Sequence, residues 1–148
     1  MPVNPKPSST VVLVRDTDRG PEILFVRRRA GDAFGEAYTF PGGVLDDNES
    51  EAERYCTGLG PAEANAVLGI ESGGLDYYNA VVRELYEETG LLLCTSAPLD
   101  TDYRQKLHAG EISWADFLEK HGLTIPCDAL HYFTHWICLL YTSDAADE

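Results

Sequence analysis

Residues 76–89 constrain the fold most, because they predict a long amphipathic helix. At about 100° per residue, its apolar positions fall on one face, which is the side expected to be buried. These apolar positions are Val82, Leu85 and Tyr86. Asp76 is the expected N-cap, and Gly90 is expected to end the helix in the left-handed conformation.

Three glutamates, Glu84, Glu87 and Glu88, share an arc of roughly 100° on the other face of this helix. Like charges at these spacings cost roughly 0.2–0.5 kcal/mol per pair, and the last turn of a helix favours cations instead. Locally unfavourable patterns are typical of functional sites, and three carboxylates form a hard-oxygen ligand set suited to Mg²⁺ or Mn²⁺. The alternative is a solvated acidic face. Arg83 lies one turn from Glu87, where the two can pair.

Short elements are predicted on both sides of the helix. Strands are predicted over 10–14, 22–27, 38–40, 91–95 and 129–137, and helices over 102–108 and 113–121. Ser113 is the expected N-cap of the last helix and Gly122 its stop. The turn at 16–21 makes a hairpin of the first two strands. Residues 1–9 predict an extended lead-in, and 50–75 predict an inserted, partly helical excursion at the surface.

Length and charge exclude several classes of protein. A chain of 148 residues with 44% apolar residues fits one domain with a real core. The 25 acidic and 11 basic residues give a net charge of −14, which argues against nucleic-acid binding and against a basic membrane-surface helix. The longest apolar run, residues 136–141, is far too short to span a bilayer. No secretory signal is visible, and four cysteines without CxxC spacing indicate reduced thiols in a cytoplasmic protein.

The run from Arg83 to Leu91, RELYEETGL, resembles the second half of the Nudix box. Gly43 and Glu49, with five residues between them, resemble its first half, and the preceding Pro41 and Gly42 resemble its lead-in. Seven residues usually separate the two halves, whereas positions 50–82 supply 33 here. The excess matches the insertion already predicted at 50–75.

A box split in this way is similar to one branch of the Nudix superfamily. That branch contains the mammalian peroxisomal coenzyme A diphosphatase, which has a long insertion inside its box, and bacterial relatives. Further similar passages are 26–29, 38–43, 80–93 and 135–137. The resemblance covers residues 10–137 and implies an α/β/α sandwich with a mixed β-sheet.

The resemblance implies a hydrolase that cleaves the pyrophosphate of a nucleoside diphosphate linked to another group, with coenzyme A or acyl-coenzyme A as the first choice. Glu84, Glu87 and Glu88 would hold Mg²⁺ or Mn²⁺, with a backbone carbonyl near Gly42 or Gly43 as a further ligand. Glu84 is the expected base as well as a ligand, and Arg83 is expected to orient Glu87. The insertion leaves the role of Glu49 open.

Several side chains have two interpretations. Arg27, Arg28 and Arg29 either bind the substrate pyrophosphate or form an exposed strand end, and only some of them can face one side. His131 and His135 are interpreted as structural, and Trp114 and Trp136 as core rather than substrate-stacking aromatics.

Rival functions are a catalytically silent Nudix-fold module that binds a nucleotide, and an enzyme acting on ADP-ribose or dinucleoside polyphosphates. Such silent modules tend to lose the glutamates of the box, which are all present here. We expect a small-molecule nucleotide partner, no nucleic acid, no membrane and a cytoplasmic location, with a peroxisomal one if the source is eukaryotic. The oligomeric state is not predicted.

The last eleven residues, 138–148, match one reading frame of the mosaic-end adapter of sequencing libraries. We therefore expect the natural sequence to depart from this one after Ile137. On that expectation the C-terminal part of the domain is missing, and the 148-residue chain is a poor enzyme that melts early.

Overall fold

The computed structural model describes residues 5–28, 30, 36–94 and 102–135. Its strands are β1 (Ser8–Thr10), β2 (Val14–Thr17), β3 (Gly20–Ile23), β4 (Val26–Arg27), β5 (Tyr38–Thr39), β6 (Gly42–Val44), β7 (Cys56–Thr57) and β8 (Ile125–Pro126). Its helices are α1 (Pro61–Leu68), α2 (Gly74–Thr89), α3 (Arg104–His108) and α4 (Trp114–His121), with 3₁₀ helices at Glu49–Tyr55 and Cys127–Ala129.

The strands pair two by two in both orientations. β1 with β6, β2 with β3 and β4 with β5 are antiparallel, whereas β7 and β8 are parallel. The β1–β6 register sets Ser9 opposite Gly43, and both strands of this ladder pack against α2. The predicted mixed α/β fold is confirmed, and the glycines of β6 lie beside the central helix.

Helix α2 is the centre of the core. Val82, Leu85 and Tyr86 are at most 4% exposed, as the sequence predicts. The predicted cap at Asp76 is wrong, because the helix begins earlier, after Gly73 with φ of +75°. Gly74 has no room for a side chain against α1, and its N–H donates to Asn65 Oδ1 at 2.8 Å. Packing on α1 therefore fixes the start of α2.

The C-terminal end of α2 and both ends of α4 are as predicted. Gly90 follows α2 with φ of +78°, and its N–H donates to the Tyr86 carbonyl. Ser113 Oγ accepts a hydrogen bond from the Asp116 N–H at 3.1 Å at the start of α4, and Gly122 follows α4 with φ of +61°. Glycine is favoured at both C-terminal positions because only it adopts positive φ at little cost.

The inserted segment is helical, as predicted, but it is not a surface excursion. Ala52 of its 3₁₀ helix is 1% exposed and Ala64 of α1 is fully buried. Its strand β7 pairs with β8, setting Cys56 opposite Ile125. The small apolar side chains of Ala52 and Ala64 let these helices approach α2 closely.

The predicted strands 10–14 and 22–27 are each divided. β1 pairs with β6 and β2 with β3, so the chain changes partner between Thr10 and Val14. In the gap, the Val11 N–H donates to Pro41 O and the Leu24 N–H to Leu13 O. Strand 38–40 is confirmed as β5, one residue shorter.

The predictions of strands at 91–95 and 129–137 are wrong over the described residues. Leu92, Leu93 and Cys94 pack on the core without joining a ladder, and the segment up to His135 has a 3₁₀ helix and irregular backbone. Thr95, Trp136 and Ile137 lie outside the described residues.

The predicted helix 102–108 begins at Arg104 as α3, because the Asp102 carboxylate accepts hydrogen bonds from the Arg104 N–H and from its guanidinium.

The side chains of Trp114 and of the two histidines differ in burial. Trp114 is buried and stacks on Phe117 at 5.3 Å between ring centres, in agreement with a core role. His131 and His135 are exposed. Within the described ranges, no helix combines the length and apolar character needed to cross a bilayer.

Candidate metal centre on α2

The three predicted glutamate ligands lie together on the last two turns of α2. The side chains of Glu84 and Glu87 are 18% and 16% exposed, and Glu88 is the most exposed of the three. The buried apolar residues of α2 lie on the opposite side of the helix from the three glutamates. The three carboxylates are therefore held at the surface by a rigid helix.

The glycines of β6 approach this carboxylate group closely. The Gly42 N–H donates to Glu88 Oε2 at 3.1 Å. A Cβ atom on Gly43 would lie 2.5 Å from Cδ of Glu84, so a side chain there would displace the Glu84 carboxylate. A glycine backbone at this point can approach both the carboxylates and anything they hold.

Arg83 links the carboxylate group to the segment after β6. The residue is 5% exposed, and its Nη1 donates to Glu84 Oε1 at 2.9 Å and to Glu87 Oε1 at 3.4 Å. Its Nη2 donates to the Val44 carbonyl at 3.1 Å. The guanidinium therefore contacts two of the three glutamates.

Glu49 is the principal partner of Arg83. Its oxygens lie 3.0 Å from Nη2 and 3.3 Å from Nε, and it is 4% exposed. It also accepts the Asp46 N–H at 3.1 Å, while the Asp46 carboxylate lies 3.5 Å from Arg83 Nε. The insertion does not carry Glu49 away, because the chain between Glu49 and α2 folds back against that helix. The sequence assigned neither Glu49 nor Asp46 as a partner of Arg83, although Asp46 lies in the acidic turn three residues after Gly43.

Burial and crowding of negative charge perturb these groups. Burial raises the pKa of both Glu87 and Glu88, and the nearby Glu84 charge raises both further. Arg83 lowers the pKa of Glu87, and the Gly42 N–H lowers that of Glu88, without cancelling the rise. Burial opposes the charge of Arg83, but its pKa remains above the ordinary value because Glu49, Glu84 and Asp46 surround it. The centre thus holds more negative charge than one arginine neutralises.

The three predicted substrate-binding arginines have different surroundings. The positive charge of Arg28 lowers the pKa of Glu88. Arg27 instead pairs with Glu36 at 3.3 Å, with both side chains mostly exposed. Arg29 lies outside the described residues.

The available ligand atoms are oxygens, the type that a hard divalent cation prefers. Among the described residues, no group of three or more His, Cys, Asp or Glu side chains forms a preformed metal site. The available donors are carboxylate oxygens, those of Glu87 and Glu88 with raised pKa values, and a closely approaching glycine backbone. Mg²⁺ prefers such oxygen donors and keeps several waters, so an open set on one face suits it better than a closed cage.

The fold is similar to that of a known structure. A crystal structure of a NUDIX hydrolase from Alicyclobacillus acidocaldarius matches with a TM-score of 0.74 and 24% sequence identity. The match covers 90% of this chain and 62% of that chain, so this chain spans less than two thirds of the matched protein. No family model and no curated protein matches the sequence. The chain has the fold of a Nudix hydrolase.

Proposed function

We propose that the protein is a metal-dependent hydrolase that cleaves the pyrophosphate of a nucleoside diphosphate linked to another group. The observation that carries the proposal is the glutamate face of α2, closed on one side by Gly42 and Gly43 and oriented by Arg83. Coenzyme A or acyl-coenzyme A is the proposed substrate. This choice rests on the split box between Glu49 and Arg83.

Glu84, Glu87 and Glu88, with the Gly43 carbonyl, would hold Mg²⁺ or Mn²⁺. When bound, such a cation neutralises phosphate charge and lowers the pKa of a coordinated water. Glu84 is the proposed base because it stands nearest to the Gly43 backbone, where a phosphate can approach. Arg83 acts as a positioning residue, since its hydrogen bonds fix the Glu84 and Glu87 carboxylates.

Arg28 is the proposed anion contact. Its positive charge lowers the pKa of Glu88. The same charge would attract an anionic phosphate bound beside the carboxylates. Arg27 is a less favourable candidate for binding the phosphate, because its guanidinium pairs with Glu36.

A hydrolysis screen tests the proposal. The purified chain is incubated with coenzyme A, ADP-ribose or a dinucleoside tetraphosphate in Mg²⁺ or in EDTA, and products are separated by chromatography. We expect turnover only with the divalent cation, and Glu87→Gln or Glu88→Gln to lower kcat at least about 100-fold, in the range of lost charge stabilisation. The exposed Glu111→Gln is the matched control and should retain wild-type activity.

Three outcomes would contradict the proposal in whole or in part. Undiminished turnover in EDTA would exclude a metal-dependent reaction. Nucleotide binding without product, measured calorimetrically in Mg²⁺, would instead favour the catalytically silent binding module. Faster cleavage of ADP-ribose or the dinucleoside tetraphosphate would overturn the choice of coenzyme A alone.

A further inference from the structure

An open groove lies where the 3₁₀ helix Glu49–Tyr55 of the inserted segment meets the end of α4. Its volume is about 510 Å³, within the roughly 300–1,000 Å³ that is usual for small-molecule sites. The inserted segment and the chain around the end of α4 supply its lining residues, which are Arg54, Tyr55, Glu119, Gly122, Leu123 and Thr124. None of them belongs to the proposed metal centre, so the groove is a separate feature of the surface.

The groove has an apolar floor and an aromatic wall. Leu123 is 1% exposed, and Tyr55 is half-buried and packs against the core. The Arg54 guanidinium lies over the Tyr55 ring, 5.1 Å from its centre, so this face of the ring accepts a flat group. A Cβ atom on Gly122 would meet no other atom within 4 Å, so the end of α4 leaves its part of the groove open.

Two opposite charges stand at the rim of the groove. Arg54 Nη2 and Glu119 Oε2 are 3.9 Å apart, and the two side chains are 62% and 68% exposed. This separation is longer than a hydrogen bond, and an exposed ion pair contributes little to stability. The rim therefore offers a hydrogen-bond donor beside an acceptor, and both can turn to a ligand at little cost.

A flat nitrogen heterocycle with a neighbouring amino group has the complementary pattern. Adenine presents a ring nitrogen that accepts a hydrogen bond beside an amino group that donates one. Arg54 can donate to the ring nitrogen while Glu119 accepts from the amine, and the base can stack on Tyr55. Hypoxanthine, the base of inosine, has the same flat shape but a carbonyl oxygen in place of the amine, and that oxygen would face the Glu119 carboxylate unfavourably.

The 3₁₀ helix connects this groove to the proposed metal centre. Its first residue, Glu49, pairs with Arg83, whereas its last residue, Tyr55, lines the groove. The helix has seven residues and rises roughly 2 Å per residue, so its ends lie about 12 Å apart. Because it packs on both α2 and α4, it fixes the groove relative to the glutamate face.

We propose that the groove between Arg54, Tyr55 and Glu119 binds the adenine base of the nucleotide substrate. The base stacks on Tyr55, Arg54 donates to a ring nitrogen, and Glu119 accepts from the amino group. This assignment rests on the proposed function, because the pyrophosphate of the same substrate would lie at the glutamate face. The inserted segment then sets the preference for the base, while α2 carries the hydrolytic centre.

Saturation-transfer nuclear magnetic resonance with adenosine and with inosine, on the full chain in EDTA, tests the groove alone. Neither nucleoside has a pyrophosphate or requires a metal. We expect adenosine to bind at least about fivefold tighter than inosine, and Arg54→Met and Glu119→Met each to reduce this ratio. Tyr55→Leu should weaken adenosine binding at least about fivefold, the lower end of what base–aromatic stacking contributes. Phe133→Leu, which removes an exposed aromatic ring that does not line the groove, is the matched control and should bind like the wild type.

Kinetics with coenzyme A separate this proposal from the proposed hydrolase function. Tyr55→Leu should raise KM at least about fivefold with little change in kcat, because the stacking contact is the same in the ground state and the transition state. Adenosine binding by a chain that hydrolyses nothing would support the groove and contradict the hydrolase function alone.

Three results would overturn the assignment of the groove even if hydrolysis is found. They are no adenosine binding by the wild type, equal affinity for adenosine and inosine, and an unchanged ratio of the two affinities in both Arg54→Met and Glu119→Met. The last two variants replace exposed side chains, so they decide the question even if Tyr55→Leu does not fold.

Discussion

Replacing Arg83 with methionine should lower the free energy of unfolding of the protein. The substitution keeps a long apolar side chain but removes the cation that neutralises Glu49, whose side chain is 2% exposed. Glu84, Glu87 and Asp46 lose the same partner. A buried carboxylate without a counter-charge is strongly unfavourable, because neither water nor a cation stabilises it.

The size of the effect follows from that burial. Removing one partner of a buried ion pair costs about 3–5 kcal/mol, which for a chain of this length corresponds to a fall of roughly 10 °C in melting temperature. Glu49→Gln in the Arg83→Met background should recover much of this loss, because it removes the uncompensated charge. The double variant should therefore melt above the single one.

The stability that Arg83→Met loses should depend on pH. In the wild type, burial already raises the pKa of Glu49 above its ordinary value, and Arg83 opposes that rise. Without Arg83 the folded-state pKa rises further, so protonation favours the folded protein. The stability deficit of Arg83→Met should then be smallest below about pH 4.5, the ordinary value for glutamate, and grow as the pH rises through the folded pKa.

Thermal melts of the wild type and the two Arg83 variants between pH 4 and pH 8 check this reasoning. Arg54→Met is the matched control, since Arg54 is exposed and its ion pair with Glu119 is 3.9 Å long; its melting temperature should stay near the wild-type value. The reasoning would be refuted if Arg83→Met melted like Arg54→Met, or if its deficit shrank as the pH rose.

Two further predictions concern the segments around α2. Gly43→Ala should lower turnover at least tenfold while the melting temperature changes little, because the new methyl group displaces the Glu84 carboxylate. Gly60→Ala, with ordinary φ and only an ordinary contact of 3.6 Å to Glu63 Oε2, is its control, and equal activity of the two variants would contradict the prediction. Shortening 50–75 to a seven-residue link should abolish the cooperative thermal transition seen by calorimetry, because buried Ala52 and Ala64 are lost; a cooperative melt of the shortened chain would restore the idea of a surface excursion.

Local sequence signals predicted the helices well. The buried face of α2 follows from side-chain periodicity, and the ends of α4 follow from Ser113 and Gly122, since the caps lie within one turn of the helix they close. The start of α2 did not follow, because the contact of Gly74 with α1 is tertiary.

The strands and the partner of Arg83 depend on contacts distant in sequence. Leu92 and Leu93 are apolar because they pack on the core, and their composition could not reveal that no ladder forms there. Residues 10–14 have strand character throughout, yet the change of partner from β6 to β3 divides them. The Glu49–Arg83 pair bridges the whole inserted segment, so only the folded chain shows that the insertion returns to its starting point.

Binding of Mn²⁺ tests the central claim most directly, because the claim is that the glutamate face of α2 is a divalent-metal centre. Electron paramagnetic resonance of free Mn²⁺, titrated with protein, measures binding without requiring turnover. We expect the wild-type chain and Glu111→Gln to bind Mn²⁺, Mg²⁺ to compete, and Glu87→Gln and Glu88→Gln each to weaken binding at least tenfold. Absence of Mn²⁺ binding by the wild type, or equal binding by Glu88→Gln, would contradict the account.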